Sequence, residues 1–319
     1  VWTINWQEIQ DFDAHLIRLE HKKKQLDDRR PLPDIALQKI KEGLFLEWTY
    51  NSNSIEGNTL SLNETRIVLE EGMTVKGKSL KEHFEITNHH EAIEYLERIV
   101  YSGYSLSERD ILDVHFLVLN KIEKNYAGRL RNGGVRITGT NFSPPNASHV
   151  STLLSELISF VNSNEKRLSD EVLATLFHHR FVWIHPFFDG NGRTVRLVMN
   201  LLLMRSGFPP AIILKIDRKK YYDALNQANN GSYSKLLLLM IQAVERSLDI
   251  YLSIYPDAEQ YMSIADVIKE EQMPYGKEYI SLLARQGKID AYKEGREWFT
   301  TSSAIKEYIS TRKRKRKLS

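Results

Sequence analysis

Along most of this 319-residue chain, apolar residues recur at the three- and four-residue spacing of helices. In residues 6–29, Ile9, Phe12, Leu16, Leu19 and Leu26 stand among many charges. Pro31-Leu32-Pro33 breaks that run, and Asp34 offers an N-cap for a second helix whose stripe of Ile35, Leu37, Ile40, Leu44 and Trp48 leads toward Ser52. The same spacing predicts helices over 64–72, 82–102, 107–121, 148–163, 170–184, 193–206, 218–229 and 233–253. One segment departs from it: in GGVRITGTNF, residues 133–142, Val135 and Ile137 alternate with polar and glycine positions as in a short hairpin, which Pro144-Pro145 closes. After Tyr255-Pro256 the pattern changes again, to two short amphipathic helices, a turn and a small hairpin through Gly295-Arg296 and Trp298. The expected fold is all-α with a small β-hairpin. Its parts are an N-terminal helical region (1–105), a central core (106–254), a compact C-terminal unit (255–311) and a basic tail (312–319).

Composition narrows the chemistry. With 42% hydrophobic and 27% charged residues the chain has the balance of a globular protein, and with no cysteine it has no disulfide, thiolate metal site or cysteine nucleophile. The apolar segment Leu197 to Met204 is short and interrupted by Asn200, and the first fifteen residues lack an uninterrupted apolar stretch, so the expectation is a cytoplasmic protein without a membrane span. Net charge is +3, of which the run Arg312–Lys317 supplies +6, leaving the remainder at −3. The body is therefore not a surface for coating nucleic acid; the basic tail reads as a solvated, disordered end that can also meet phosphate backbones.

The segment HPFFDGNGRTVR, His185 to Arg196, carries the candidate chemistry. The preceding helix, capped at Ser169 or Asp170, turns Val172, Leu176, Phe177, Phe181 and Ile184 inward, and Pro186 ends it, which fixes His185 on a rigid edge. Asp189-Gly190-Asn191-Gly192 is a turn leading into the next helix, whose first N–H groups form a nest for an anion. Glycines at 190 and 192 let a phosphate approach the backbone. Arg193 and Arg196, three apart, share a helical face and can grip phosphate oxygens. Asp189 can hold Mg²⁺ against the same phosphates, and a neutral His185 can take a proton from an attacking hydroxyl. Each piece alone has an ordinary structural explanation; nine specified positions within twelve residues point to function.

The segment resembles the signature HPF-x-(D/E)-GNG-R-x-x-R of the Fic family without a departure. The resemblance implies a Fic-type helical bundle and transfer of AMP from ATP to a Ser, Thr or Tyr hydroxyl of a target protein, with attack at the α-phosphorus. It implies His185 as base, Phe187 as the loop's anchor, Asp189 as Mg²⁺ ligand and Gly190, Asn191, Gly192, Arg193, Thr194, Val195 and Arg196 around the phosphates. Thr138, Gly139, Thr140 and Asn141 match the family's β-hairpin flap, where an extended target segment would add as a strand. RKKYYDALNQANNG resembles its adenosine-contacting segment and points to Tyr221, Tyr222 and Asn229.

Upstream, SNSIEG resembles the family's inhibitory motif, (S/T)-x-x-x-E-(G/N), and Ser52 and Glu56 are four apart on one helical face. The resemblance implies that Glu56 pairs with Arg196 and removes one anchor from ATP. The C-terminal unit resembles an excisionase-type helix-turn-helix with a small wing. There Arg285, Lys288, Lys293 and Arg296 are diluted by Asp266, Glu270, Glu271, Glu278 and Glu294, which leaves DNA and protein as alternative partners. The rival readings are a DNA-binding regulator with a secondary Fic domain, transfer of another nucleotide, and removal of AMP; the intact Gly190-Asn191-Gly192 argues against the phosphotransferring Doc branch. The target protein and the formation of a homodimer are left open.

Overall fold

Eleven helices precede the C-terminal unit among the described residues, and their starts follow local chemistry. The structure is a computed structural model that describes residues 2–100, 105–137, 140, 142–271 and 273–318, with the side chains of 34, 271 and 313–318 left aside. α1 (Trp6–Gln10) and α2 (Asp13–Asp27) are followed by α3 (Asp34–Ile55), α4 (Leu62–Glu70), α5 (Leu80–Ile99) and α6 (Glu108–Leu119). Capping boxes start three of these: Ser61 with Glu64, Ser79 with Glu82 and Ser107 with Asp110. α7 (Val150–Ser163), α8 (Asp170–Ile184), α9 (Asn191–Arg205), α10 (Arg218–Ala228) and α11 (Ser234–Leu252) complete the bundle.

α8 lies at its centre, packed on α7, α9 and α11, while α9 also packs on α3, α5 and α6. Val172, Leu176, Phe177, Phe181 and Ile184 are all buried, as expected, but so are His178, His179 and Arg180. Several of their polar groups are matched inside: His178 Nε2 is 2.7 Å from the Tyr221 hydroxyl, His179 Nε2 is 3.0 Å from Asn229 Oδ1 with its Nδ1 2.7 Å from the Tyr233 hydroxyl, and the Arg180 guanidinium lies over Trp183, while His178 Nδ1 is left without a partner. Burying a polar group without such a partner is costly, which is why a helix closed on all sides needs them.

The C-terminal unit runs β1 (Met262–Ser263), α12 (Ile264–Glu271), α13 (Lys277–Arg285), β2 (Ala291–Glu294), β3 (Glu297–Thr300) and α14 (Ser302–Leu318). Its antiparallel sheet has the order β1-β3-β2, with Tyr292 opposite Phe299 and Gly295 at φ 56° in the hairpin turn. Ile264, Val267, Ile280, Leu283 and Ile305 give it a hydrophobic cluster of its own. Buried ion pairs seat it on the bundle. Lys22 Nζ lies 2.6 Å from Asp249 and 2.5 Å from Asp290, and Arg18 pairs with Glu245 at 2.5 Å and donates to Gly287 O. No helix of the described residues is long and apolar enough to cross a membrane.

Four expectations need correction. The predicted helix over 6–29 is two, broken at Asp11–Phe12, because Ile9 and Phe12 both turn into the core. Pro33 holds the N-cap position of α3, so Asp34 is already its first residue, and Ile35 stays 78% exposed because the stripe sinks inward only toward Leu44 and Trp48. Of the predicted hairpin over 133–142, residues 133–137, 140 and 142 form no strand, and 138, 139 and 141 lie outside the described residues. The basic tail continues α14 through Leu318, as the helix propensity of Lys and Arg allows.

Candidate active site

The chain leaves α8 through His185, whose φ of 52° puts it in the left-handed region while its N–H still donates to Phe181 O at 2.9 Å. For a residue with a Cβ that conformation is unfavourable by about 1–2 kcal/mol, so neighbours must hold it. Arg131, between α6 and α7, does so with a fan of donors: Nε to His185 O (2.7 Å), Nη2 to Ile184 O (3.3 Å) and Pro145 O (2.6 Å), and Nη1 to Gly133 O (2.9 Å). Its backbone N–H donates to Pro186 O at 2.9 Å.

The loop beyond is held as firmly. Phe187 is fully buried and stacks on the His115 ring of α6, with centroids 3.5 Å apart and planes 3° from parallel. His115 Nδ1 accepts from Gly128 N–H at 2.9 Å, so the proton sits on Nε2, which donates to Asp189 O at 3.0 Å. Burial pushes the His115 pKa down to about 4, so the ring is neutral at pH 7 and keeps both bonds. Asn191 accepts from Phe187 N–H at 3.0 Å and donates to Phe187 O at 2.9 Å, closing the turn on itself. Gly190 has φ 75°, a left-handed conformation that favours glycine, and a Cβ there would lie in contact with His115 and Leu119 at 3.4 Å.

α9 therefore begins without a side-chain cap, with Gly190 at the N-cap position. Thr194 N–H is bonded back to Gly190 O, while the N–H groups of Asn191, Gly192 and Arg193 precede any intrahelical acceptor. Arg193 is buried, with Nη1 3.3 Å from Glu85 Oε1 of α5 and Nη2 3.7 Å from Asp189 Oδ1. Glu85 Oε2 accepts in turn from Asn58, two residues beyond Glu56. Arg196, also buried, donates from Nε to Ser52 Oγ (3.0 Å) and from Nη2 to Ser52 O (2.8 Å) and Glu56 Oε1 (2.7 Å). The same Glu56 oxygen occupies the space that a Cβ on Gly192 would fill. Arg193 Nε and Arg196 Nη1 are buried without a hydrogen-bond partner.

His185 Nδ1 is enclosed. Burial, reinforced by the charge of Arg131 and opposed by a backbone contact with Val182, lowers the His185 pKa to about 4, so its imidazole is a free base at neutral pH. Asp189 is half exposed, and its Oδ1 accepts from Gly190 N–H at 2.6 Å. The described residues hold no group of three or more His, Asp or Glu placed for a metal. A single exposed carboxylate beside an anion seat fits Mg²⁺, which takes the rest of its shell from phosphate and water.

The structure brings His185, Asp189, Gly190, Gly192, Arg193, Arg196, Ser52 and Glu56 together, as the sequence led one to expect. Other positions are corrected. The Asn191 side chain is consumed by Phe187, and Thr194 and Val195 are fully buried, so these three face the anion seat through backbone alone. Tyr221 is 1% exposed with its hydroxyl on His178, a pillar of the core and not a surface for adenosine. Tyr222 lies over the Arg218 guanidinium, which donates to Ile55 O at 2.7 Å and so props the end of α3. Asn229 accepts from His179. Thr140 Oγ1 donates to Asn226 Oδ1 at 3.2 Å; Thr138, Gly139 and Asn141 lie outside the described residues. In the C-terminal unit, Lys293 is spent on Asp217 at 2.8 Å, which removes one cation from a surface for DNA. His115, Arg131, Glu85 and Arg218 were missed: each is a lone polar residue in the sequence, and only the fold shows its partners.

Residues 105–203 match the family model described as Fic/DOC family. Among solved structures, Fic-1 (aa134–508) from C. elegans superposes with a TM-score of 0.69 at 30% identity, covering 77% of this chain and 73% of that one. The chain belongs to the Fic/DOC family. A Fic domain containing signaling protein from Bacteroides thetaiotaomicron gives a TM-score of 0.65 at 26% identity over 74% of this chain and 96% of that chain. Protein adenylyltransferase Fic of Aedes aegypti is 36% identical over 264 residues, 82% of this chain and 52% of its own. That of Nematostella vectensis is 39% identical over 222 residues, 68% and 51%. The Fic chain described here thus spans about half the length of the curated relatives it matches.

Proposed function

We propose that this chain is a protein adenylyltransferase that moves AMP from ATP to a Ser, Thr or Tyr hydroxyl of a target protein, and that Glu56 restrains it. The observation that carries the reading is the pair of buried guanidinium nitrogens, Arg193 Nε and Arg196 Nη1, left without acceptors beside an uncapped helix N-terminus. A buried donor without a partner costs about 1–3 kcal/mol. Phosphate oxygens seated on α9 would satisfy these donors and the peptide N–H groups together. The relatives named protein adenylyltransferase support AMP as the transferred group.

In the reaction the target oxygen bonds to the α-phosphorus as the bond from that phosphorus to the bridging oxygen of the β-phosphate breaks, and pyrophosphate leaves. The hydroxyl proton passes to His185. Because Nδ1 is enclosed, Nε2 is the nitrogen that receives it. Asp189, with nucleotide oxygens and water, would hold Mg²⁺, whose charge offsets that of the phosphates. Arg193 and Arg196 orient the outer phosphates for in-line attack. Glu56 opposes this by taking Arg196 Nη2 and placing a carboxylate over Gly192.

Incubating wild type and Glu56→Gly with ATP and Mg²⁺ and reading intact mass tests the proposal. Auto-modification by one AMP should rise about 10- to 100-fold in Glu56→Gly, the worth of one charge-assisted hydrogen bond. Equal modification in the two proteins removes the restraint, and failure of both to bind any nucleoside triphosphate removes the nucleotidyl reading.

A further inference from the structure

We propose that Arg131 is the positioning residue of this site: one side chain that sets the peptide of the base against both ends of the 133–145 segment beside it. Arg131 is 3% exposed. Arg193, Arg196 and Arg246, buried to a similar depth, each face a carboxylate, from Glu85, Glu56 and Glu47. Among the described residues no carboxylate lies within ion-pair distance of Arg131. Its charge is met by peptide carbonyls alone, and a buried cation is tolerated only where dipoles surround it this well.

The choice of carbonyls gives the arrangement its meaning. Ile184 O, His185 O and Pro186 O are consecutive, and Arg131 takes all three, two with its guanidinium and the last with its own N–H. These lie at the C-terminal end of α8, where the helix leaves carbonyls unsatisfied and favours a cation. His185 is the middle residue of the three and the one in the left-handed conformation, so its imidazole leaves the helix in a direction fixed by this grip. The other two acceptors, Gly133 O and Pro145 O, stand at the two ends of the neighbouring segment. That segment is itself set against the site's walls, with Gly133 beside Phe188 and the Phe142 ring 5.8 Å from Trp183. A planar fork with five donors can hold four carbonyls in fixed directions, and an ammonium cannot.

Arg131→Lys and Arg131→Ala, placed in the full-length Glu56→Gly protein, test the proposal, whose kinetic arm rests on the adenylyl-transfer reading. Arg131→Lys should keep the near-ultraviolet circular dichroism of its parent and bind ATP within about twofold by calorimetry. Its kcat should fall about 10- to 100-fold, the cost of misplacing a reacting group by a fraction of an ångström to 1 Å. Millimolar guanidinium should restore part of the rate of Arg131→Ala. Transfer by Arg131→Lys at the parent's rate overturns the proposal. So does a loss of ATP affinity in step with kcat, which marks a merely structural role. A second arm needs no transfer: in the nucleotide-free protein, the imidazole Cε1–H resonance that disappears in His185→Ala should be displaced in Arg131→Lys. If the Glu56→Gly parent transfers nothing, the functional reading fails and this resonance decides alone, displacement sustaining the positioning role and an unmoved signal ending it.

Discussion

The α8–α9 loop and the joint that seats the C-terminal unit both bury charge, and they leave opposite remainders. At the loop the peptide carbonyls of Ile184, His185, Pro186, Phe187 and Asp189 are taken by Arg131, Asn191 and His115, and donors are left over: Arg193 Nε, Arg196 Nη1 and the first N–H groups of α9. At the joint, Glu245, Asp249 and Asp290 gather around Arg18 and Lys22, and one carboxylate oxygen, Asp249 Oδ2, is left unpartnered. A surplus of fixed donors waits for an anion that must come and go. A surplus carboxylate can be neutralised by a proton and stay closed, and burial accordingly raises the pKa of Asp249 and Asp290, while Lys22 and Arg18 hold Glu245 low against the same burial. On the proposed reading one region is completed by a ligand, the other by a proton.

The largest effect expected from this contrast is at the loop. His185→Ala in the Glu56→Gly background should lower auto-modification about 10²- to 10⁴-fold, read by intact mass against time, while ATP affinity holds. Undiminished transfer would take the base away from His185 and leave the donors at α9 as a binding site only. Next in size is Lys22→Met, which leaves three carboxylates facing one guanidinium and should destabilise the chain by about 3–5 kcal/mol in urea unfolding. A change under about 1 kcal/mol, the size of an exposed ion pair, would mean that the joint is not held by charge.

Acid should separate the two regions most cleanly, with a smaller effect. His115, His179 and His185 are depressed by burial from 6.5 to about 4. Between those values the unfolded chain binds more protons than the native one, so the bundle loses stability as pH falls through that window. Asp249 and Asp290 are raised, so their contribution is present in acid and is lost as pH rises through their folded pKa. Hydrogen exchange at pH 7 and pH 5, corrected for intrinsic rate, should show α8 and α9 opening more easily at pH 5 and the α13–β2 seam, which meets His15 alone, changing less. A parallel change in both would dissolve the contrast. All ten histidines lie at or before residue 185, but His15 of α2 rests against Gln286 and Gly287 and is itself depressed by burial, so the seam shares a small part of that titration.

How much of this could be read from the sequence depended on who the partner is. The helices were legible because burial of one face imposes a period, and Ser52 and Glu56 were legible through the resemblance of SNSIEG to an inhibitory motif, with four residues returning both side chains to one face, where both now meet Arg196. His115 and Arg131 left no such trace. Each binds peptide carbonyls or a peptide N–H, groups that every residue possesses and no pattern of side chains records. Tyr221 misled for the converse reason, since an aromatic beside a site and an aromatic beneath it look alike until depth is known. The alternation at 133–142 predicted a hairpin, but a strand is a property of pairs, and the described residues of that segment form none.

Gly192 presents a hydrogen where Glu56 now rests and where a phosphate would rest in its place. On the proposed reading inhibitor and substrate would share one vacancy, and a side chain at 192 would crowd both. A variant that sheds the restraint and keeps the seat would then be reached from the α3 side, by changing Glu56 or Ser52.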